Sequence, residues 1–186
     1  FFSLMYGGVF GLSPVDPDSW GGLPLTVILT LIGMTLSSPL GILLAIGRRS
    51  KLPLVRTLST AYIELVRGVP LITVLFVAAF IFPILLPMGF ETSTFWRVAT
   101  AIVLFQAAYM AETVRGGLQA VPAAQMSAAE SLGLSRFQCY VHVLLPQALV
   151  AIIPAFVNSL LSTFMDTSLV TVVSMYDLLG SLRLAL

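Results

Sequence analysis

Three long uncharged stretches constrain this chain more than any other feature. They run from Ser19 to Gly47, from Gly68 to Phe90 and from Phe137 to Met165. A helix needs about 20 mostly apolar residues to cross the hydrocarbon core of a bilayer, and each stretch is long enough. Only 9% of the 186 residues are charged and 58% are hydrophobic, whereas about a quarter of a soluble domain is charged. The sequence therefore predicts an all-α, polytopic transmembrane helical bundle that forms one membrane domain over residues 1–186.

Charged residues and prolines set the expected limits of the spans. We expect spans at about 23–46, 58–86, 95–118 and 146–165, a cytoplasmic loop at 119–145 and the start of a further span at 166–186. Pro39 and Gly41 predict a break inside the first span, and Pro83, Pro87 and Gly89 predict a turn at the end of the second.

The distribution of charge predicts the orientation of the chain in the membrane. Four basic residues follow the first span, namely Arg48, Arg49, Lys51 and Arg56. By the positive-inside rule this loop faces the cytoplasm. The segment from Phe1 to Gly22 is then on the opposite side, as a loop or interfacial stretch. Because the chain does not begin with Met, we expect it to be part of a longer sequence.

Two short segments repeat the pattern Glu-x-x-Arg-Gly near the expected cytoplasmic boundary. One contains Glu64 and Arg67, and the other contains Glu112 and Arg115. The i,i+3 spacing places each pair on one helix face. The pairs could simply neutralise each other and reach the interface. Alternatively they could form a cytoplasmic gate, in which cross-pairing such as Glu64 with Arg115 holds helices together in one conformation.

The expected cytoplasmic loop contains the run Ser127-Ala128-Ala129-Glu130-Ser131-Leu132-Gly133. This pattern predicts a short helix that ends at a glycine, followed by a second helix leading to Pro146. Such a helix could lie in a groove of a soluble partner, with Met126, Leu132 and Leu134 as apolar contacts. It could equally lie on the membrane surface without a partner.

This loop resembles the EAA loop of ABC-importer permeases, whose pattern is Glu-Ala-Ala, three residues, Gly, nine residues and Ile-x-Leu-Pro. The matching residues are Ala128, Ala129, Gly133, Leu145 and Pro146. Val143 replaces the isoleucine. Ser127 replaces the glutamate, so the ion pair that this glutamate would make with the ATPase has no basis here.

Other stretches resemble the polar amino-acid branch of the same family, and they cover most of the chain. They are residues 63–71, 107–122 and 166–170. When residues 47–50 and 69–76 are added, the chain most resembles the M-type permease of general L-amino-acid importers. The resemblance implies a type I importer fold and a last helix after position 186. It also implies a second permease that is a different chain, two cytoplasmic ATP-binding subunits and a periplasmic amino-acid-binding protein. ATPase coupling would involve Met126, Ser127, Ala128, Ala129, Gly133 and Leu134.

An L-amino acid that crosses the membrane needs protein groups for both of its charges, because an unpaired charge at mid-bilayer costs several kcal/mol. The candidate substrate-binding residues are Asn158, Ser162, Asp166, Thr167 and Ser168, where an apolar helix is expected to break. Asp166 could bind the ammonium group, or it could be a helix-capping carboxylate.

Several function classes are not supported by the sequence. The only lysine, Lys51, is not part of a Gly-Lys-Ser/Thr motif, so this chain does not split ATP by a P-loop. Cys139 and His142 are the only residues of their types, and we expect no metal site, no cofactor and no catalytic set. A net charge of +1 gives no reason to expect nucleic acid as a partner. A secondary transporter or channel and a membrane scaffold remain as alternatives.

Overall fold

The computed structural model describes residue 13, residues 15–85 and residues 92–185, and these residues form a helical bundle. A short 3₁₀ turn at Pro17–Ser19 precedes the helices. The helices are α1 (Gly22–Arg48), α2 (Pro53–Gly68), α3 (Leu71–Leu85), α4 (Thr94–Ala120), α5 (Ala123–Ser131), α6 (Arg136–Val173) and α7 (Leu178–Ala185). The prediction of an all-α bundle is confirmed. The predicted turn at Pro87 and Gly89 lies outside the described residues.

The core of the bundle lies between α1 and α4. Leu25 and Leu29 of α1 and Phe95 and Val98 of α4 are completely buried in it. Nearer the end of α1 at Arg48, a Cβ added at Gly41 would lie 2.6 Å from Cγ of Met110. Only glycine therefore allows the two helices to approach this closely.

The predicted break in the first span is wrong, because α1 continues through Pro39 without interruption. Proline is tolerated inside membrane helices when nearby polar groups compensate for the backbone donor that it lacks. Gly41 serves the packing of α1 against α4 and does not interrupt the helix.

The predicted second span is not straight, since α2 and α3 meet at an angle of 102°. Val69 has an extended backbone (φ −106°, ψ 136°), as expected for a residue that precedes proline. Pro70 then precedes the first residue of α3. Among the residues that the structure describes, three helices, α1, α4 and α6, are long and apolar enough to cross a membrane, and the bent pair makes a fourth candidate.

Helix α6 begins at Arg136, ten residues before the predicted start at 146. It contains a π-helical turn, Tyr140–Leu144, directly before Leu145 and Pro146. Helix α3 has the same arrangement, with a π turn at Val77–Ile81 before Pro83. Proline leaves the carbonyl four residues earlier without its donor and crowds it, and a wider turn relieves both problems. The helix therefore passes through Pro146.

The last described segment returns to the start of α1. After the 3₁₀ turns of Thr167–Val173, Ser174 adopts a left-handed conformation (φ 62°). The backbone N–H of Gly22 then donates to the carbonyl oxygen of Tyr176 at 2.8 Å, and the N–H of Leu178 donates to the hydroxyl of Thr26 at 3.1 Å. These bonds place the start of α7 beside the N-terminal end of α1. That α7 begins a further span stays a prediction.

Candidate functional site

A polar cavity of about 520 Å³ opens between α3, α4 and α6. Its lining residues are Leu71, Phe105, Gln106, Tyr109, Asn158, Ser159, Ser162, Asp166 and Leu169. Asn158, Ser162 and Asp166 are spaced four residues apart on α6, so they follow one another along a single helix face. Three of the five predicted substrate-binding residues are therefore brought together.

Asp166 is the only charged residue that lines this cavity. It ends the α-helical part of α6, and its side chain makes no capping hydrogen bond. In this structure the side chain of Asp166 therefore does not cap the following 3₁₀ turn. No other residue that the structure describes pairs with its carboxylate, which is half-buried. A carboxylate in this position is suited to bind a cation that enters the cavity.

Thr167 and Ser168 do not line the cavity, although the sequence analysis grouped them with Asp166. Thr167 is buried, and its hydroxyl donates to the carbonyl oxygen of Phe164 at 2.8 Å. Ser168 lines a different and mostly apolar cavity beside Thr26 and Asp177. Successive residues of a helix point about 100° apart, so neighbours of Asp166 cannot share its direction.

Gln106, Tyr109 and Ser159 belong to the cavity but were not predicted. Gln106 is 94% buried. It is the only amide side chain in the uncharged run from Val98 to Ala111, and this was the available signal. Tyr109 and Ser159 carried no comparable signal, because both residue types are common at helix surfaces.

A cluster of charged side chains ties α1, α2 and α4 together beside this cavity. Glu112 accepts hydrogen bonds from Arg48 and from Arg115 at 2.6 Å, and it forms an ion pair with Arg67 at 3.5 Å. Its side chain is only 14% exposed. Arg48 also pairs with Glu64 at 3.1 Å. One carboxylate thus holds three guanidinium groups from three helices.

The pair of Glu64 with Arg115, given as an example in the sequence analysis, is not formed in this conformation, since Glu64 pairs with Arg48 and Arg115 pairs with Glu112. Arg48 was assigned only to the basic loop, and nothing in the sequence linked it to residues 64 positions away. The guanidinium of Arg67 lies 5.5 Å from the centre of the Tyr109 ring, which lines the cavity. The charged cluster and the cavity are therefore in contact through Tyr109.

Helix α5 projects from the bundle between α4 and α6. Gly133 follows it with a φ of +84°. The N–H of Leu134 donates to the carbonyl oxygen of Ala129 at 3.3 Å, and the N–H of Gly133 donates to that of Glu130 at 3.0 Å. This is the Schellman motif, which favours glycine at its left-handed position. The predicted glycine stop is confirmed at Gly133.

The exposed side of this loop includes both predicted and unpredicted residues. Ser127, Ala128 and Gly133 are exposed, Met126 and Leu134 are half-buried, and Ala129 is buried. Leu132 is 84% exposed. Phe137, which the sequence analysis did not select, is 77% exposed. Large apolar side chains exposed to this extent are suited to contact another protein.

Comparison with known proteins places this geometry in a family. Residues 37–184 match the family described as binding-protein-dependent transport system inner membrane component. The inner membrane amino-acid ABC transporter permease protein YhdY of Escherichia coli (strain K12) is 48% identical over 182 residues, which are 98% of this chain and 50% of that protein. The glutamate/glutamine/aspartate/asparagine transport system permease protein BztC of Rhodobacter capsulatus is 45% identical over 89% of this chain and 38% of its own length. The chain thus spans half or less of these two relatives.

Solved structures agree with the family match. A crystal structure of an amino acid ABC transporter with histidines has a TM-score of 0.78 and 30% identity, over 84% of this chain and 72% of that one. The inward-facing MetNI methionine ABC transporter, at 21% identity and a TM-score of 0.60, shares the fold over 85% of this chain and 73% of that one. The fold is that of the type I ABC importer permeases. The chain belongs to the family of binding-protein-dependent transport system inner membrane components.

Proposed function

We propose that this chain is the permease subunit of an ATP-driven amino-acid importer, and that the cavity at Asp166 holds the amino acid during its passage. The observation that carries this proposal is the continuity of α6. One helix runs from Arg136, beside the exposed loop helix α5, to Asp166 in the polar cavity, a distance of about 45 Å. A movement of α5 is thereby transmitted to the cavity.

The lining of the cavity supports an amino acid as the solute. The carboxylate of Asp166 is placed to bind an ammonium group, while Asn158 and Ser162 offer hydrogen-bonding groups along the same face. Gln106 adds an amide from α4. The names of the two curated relatives, which describe permeases for amino acids, support the same class of solute.

The exposed loop supports an ATP-binding subunit as the partner. Helix α5 is fixed at its end by the Schellman motif, and two large apolar residues beyond it are exposed, Leu132 directly after α5 and Phe137 at the start of α6. Such a rigid, apolar projection fits a groove on a soluble protein. We assign ATPase coupling to Met126, Ser127, Ala128, Gly133 and Leu134, with Leu132 and Phe137 as the main apolar contacts. Ala129 packs inward and supports the helix.

A second permease, different from this chain, is the partner proposed for the open side of the cavity. Only 11% of the apolar stretch of α6 is buried within this chain, compared with 67% of the apolar stretch of α4. The family description, binding-protein-dependent, supports a periplasmic binding protein as the source of the solute. The ion pairs of Glu64, Arg67, Glu112 and Arg115, with Arg48 added, form the cytoplasmic gate in this proposal.

Transport in a reconstituted system tests the proposal. The full-length protein is placed in proteoliposomes with its neighbouring permease, the ATPase and the binding protein, and amino-acid uptake is measured with and without ATP. Asp166→Asn should lower uptake by about tenfold or more, because a hydrogen bond to a charged group contributes roughly 1.5–3 kcal/mol. Asp16→Asn, which removes an exposed carboxylate outside the cavity, should leave uptake unchanged.

Two outcomes would contradict the proposal. ATP-dependent uptake that is unaffected by Asp166→Asn would remove the cavity from the transport path. Uptake that needs no ATPase and follows an ion gradient would instead establish the secondary-transporter alternative.

A further inference from the structure

An apolar groove of about 360 Å³ lies between α1, α2 and α4, directly beside the basic loop. Its lining includes Leu40, Leu43, Gly47, Val55, Tyr62 and Leu104. The hydroxyl of Tyr62 donates to the carbonyl oxygen of Leu104 at 2.8 Å, so this polar atom is already satisfied. Leu43 is 65% exposed and Leu104 is 44% exposed. The groove is therefore open to the outside of the bundle and offers an apolar surface.

This groove and the polar cavity lie on opposite faces of α4. Leu104 and Ala107 line the groove, whereas Phe105, Gln106 and Tyr109 line the cavity. At 3.6 residues per turn, the mean directions of the two sets differ by about 180°. A second permease that covers the cavity consequently leaves the groove facing the lipid.

Two cations, Arg49 and Lys51, lie at the end of the groove and have no ion-pair partner among the described residues. The loop that carries Arg49 and Lys51 joins Gly47 to Val55, and both of these residues line the groove. Arg56 follows Val55 but lines the polar cavity on the opposite face of α2. Arg49, Lys51 and Arg56 form no ion pair with any residue in the described part of the chain, whereas Arg48 is held by Glu64 and Glu112. The basic loop therefore retains a local excess of positive charge.

The groove and the cations match the two parts of a phospholipid, since the groove is apolar like an acyl chain and the cations complement a phosphate. From Gly47 the groove follows α1 to Leu40, about 10 Å deeper in the helix. On the opposite face of α2, Arg56, Thr60 and Glu64 line a polar cavity of about 430 Å³. Helix α2 thus separates an apolar groove from a polar region, as a helix at the membrane surface does.

We propose that this corner is a binding site for an anionic phospholipid of the cytoplasmic leaflet. The phosphate binds Arg49 and Lys51, and one acyl chain occupies the groove. A single negative phosphate group that is not balanced by a headgroup amine complements the unpaired cations, because each cation near the surface attracts anionic lipid. The site does not depend on which solute the protein carries.

Photolabelling with a defined lipid tests this site. The full-length complex is placed in nanodiscs of phosphatidylethanolamine that contain phosphatidylglycerol with a photoactivatable acyl chain, and labelled peptides are identified by mass spectrometry. We expect labelling in the segment from Leu40 to Gly47 and around Leu104. Arg49→Gln combined with Lys51→Gln should reduce it by about fivefold per cation removed. Arg183→Gln, at an exposed cation on α7, should not change it.

A second variant separates the two parts of the site. Leu40→Trp fills the groove and leaves the cations in place, so labelling in the groove should fall while the complex remains assembled. The proposal is overturned if a phosphatidylcholine probe labels the groove equally well, or if removal of the cations has no effect. Labelling that is absent from both segments, because another subunit covers them, would also overturn it.

Discussion

At the scale of single residues, Glu112 is the centre of the charged cluster, with three arginines as ion-pair partners. It forms ion pairs with Arg48, Arg67 and Arg115 and is 14% exposed, whereas Glu64 has one ion-pair partner and is 64% exposed. Removing one member of a buried ion pair is far more costly than removing an exposed one. We predict that Glu112→Gln lowers the unfolding free energy by roughly 2 kcal/mol. Glu64→Gln should cost less than about 0.5 kcal/mol.

Thermal unfolding of the purified protein in detergent measures both effects. Equal shifts for the two variants would mean that the cluster does not centre on Glu112.

Ser162 and Ser168 offer a test of the cavity that uses one residue type on one helix. Ser162 lines the polar cavity with Asp166, and Ser168 lines the separate cavity beside Thr26. We predict that Ser162→Ala raises the KM for amino-acid uptake by about fivefold, the value of one hydrogen bond worth about 1 kcal/mol. Ser168→Ala should leave the KM unchanged. The reverse ranking would place the solute in the other cavity.

At the scale of elements, the sequence predicted helices well and their continuity poorly. The apolar runs and the glycine at 133 depend on local chemistry, so α1, α4 and the end of α5 follow from them. Prolines were harder to interpret. Pro39 and Pro146 are accommodated within helices, whereas Pro70 lies at the bend of 102° between α2 and α3. Whether a proline interrupts a helix depends on tertiary contacts and π turns, which leave no local signal.

The sequence could predict only those parts of the site whose residues lie on one face of a single helix. Asn158, Ser162 and Asp166 follow a four-residue spacing that is visible in the sequence. Arg48 joins Glu112 across 64 positions, and such a contact cannot be derived from one sequence without knowing how the helices pack.

The end of α5 carries a prediction about coupling. Gly133 has a φ of +84°, which costs an L-residue about 1–2 kcal/mol. Gly116 lies within α4, and a Cβ added there meets nothing within 4 Å. We predict that Gly133→Ala reduces the ATP hydrolysis stimulated by loaded binding protein several-fold, while Gly116→Ala does not. Measurement in nanodiscs checks this. Unchanged stimulation in the Gly133 variant would mean that the shape of the loop is not critical.

At the scale of the whole molecule, we expect the exposed face of α6 to contact the second permease and the exposed face of α1 to contact lipid. Leu161 on α6 is 51% exposed and Leu36 on α1 is 52% exposed, so the two leucines are closely matched. We predict that Leu161→Trp prevents co-purification of the second permease, because the larger ring cannot fit a packed interface. Leu36→Trp, which faces lipid, should have no effect. If both variants retain the partner, the interface lies elsewhere.

The bend between α2 and α3 also affects the shape of the protein within the bilayer. If α3 follows the membrane normal, α2 lies close to the membrane plane, since the two helices differ by 102°. A helix of 16 residues covers an area of roughly 240 Å², from a length of about 24 Å and a width of about 10 Å. In that orientation helix α2 would displace lipid from one leaflet only. The protein is therefore wider on the side of its basic loop, and a membrane that curves to match this wedge would accommodate it with less strain.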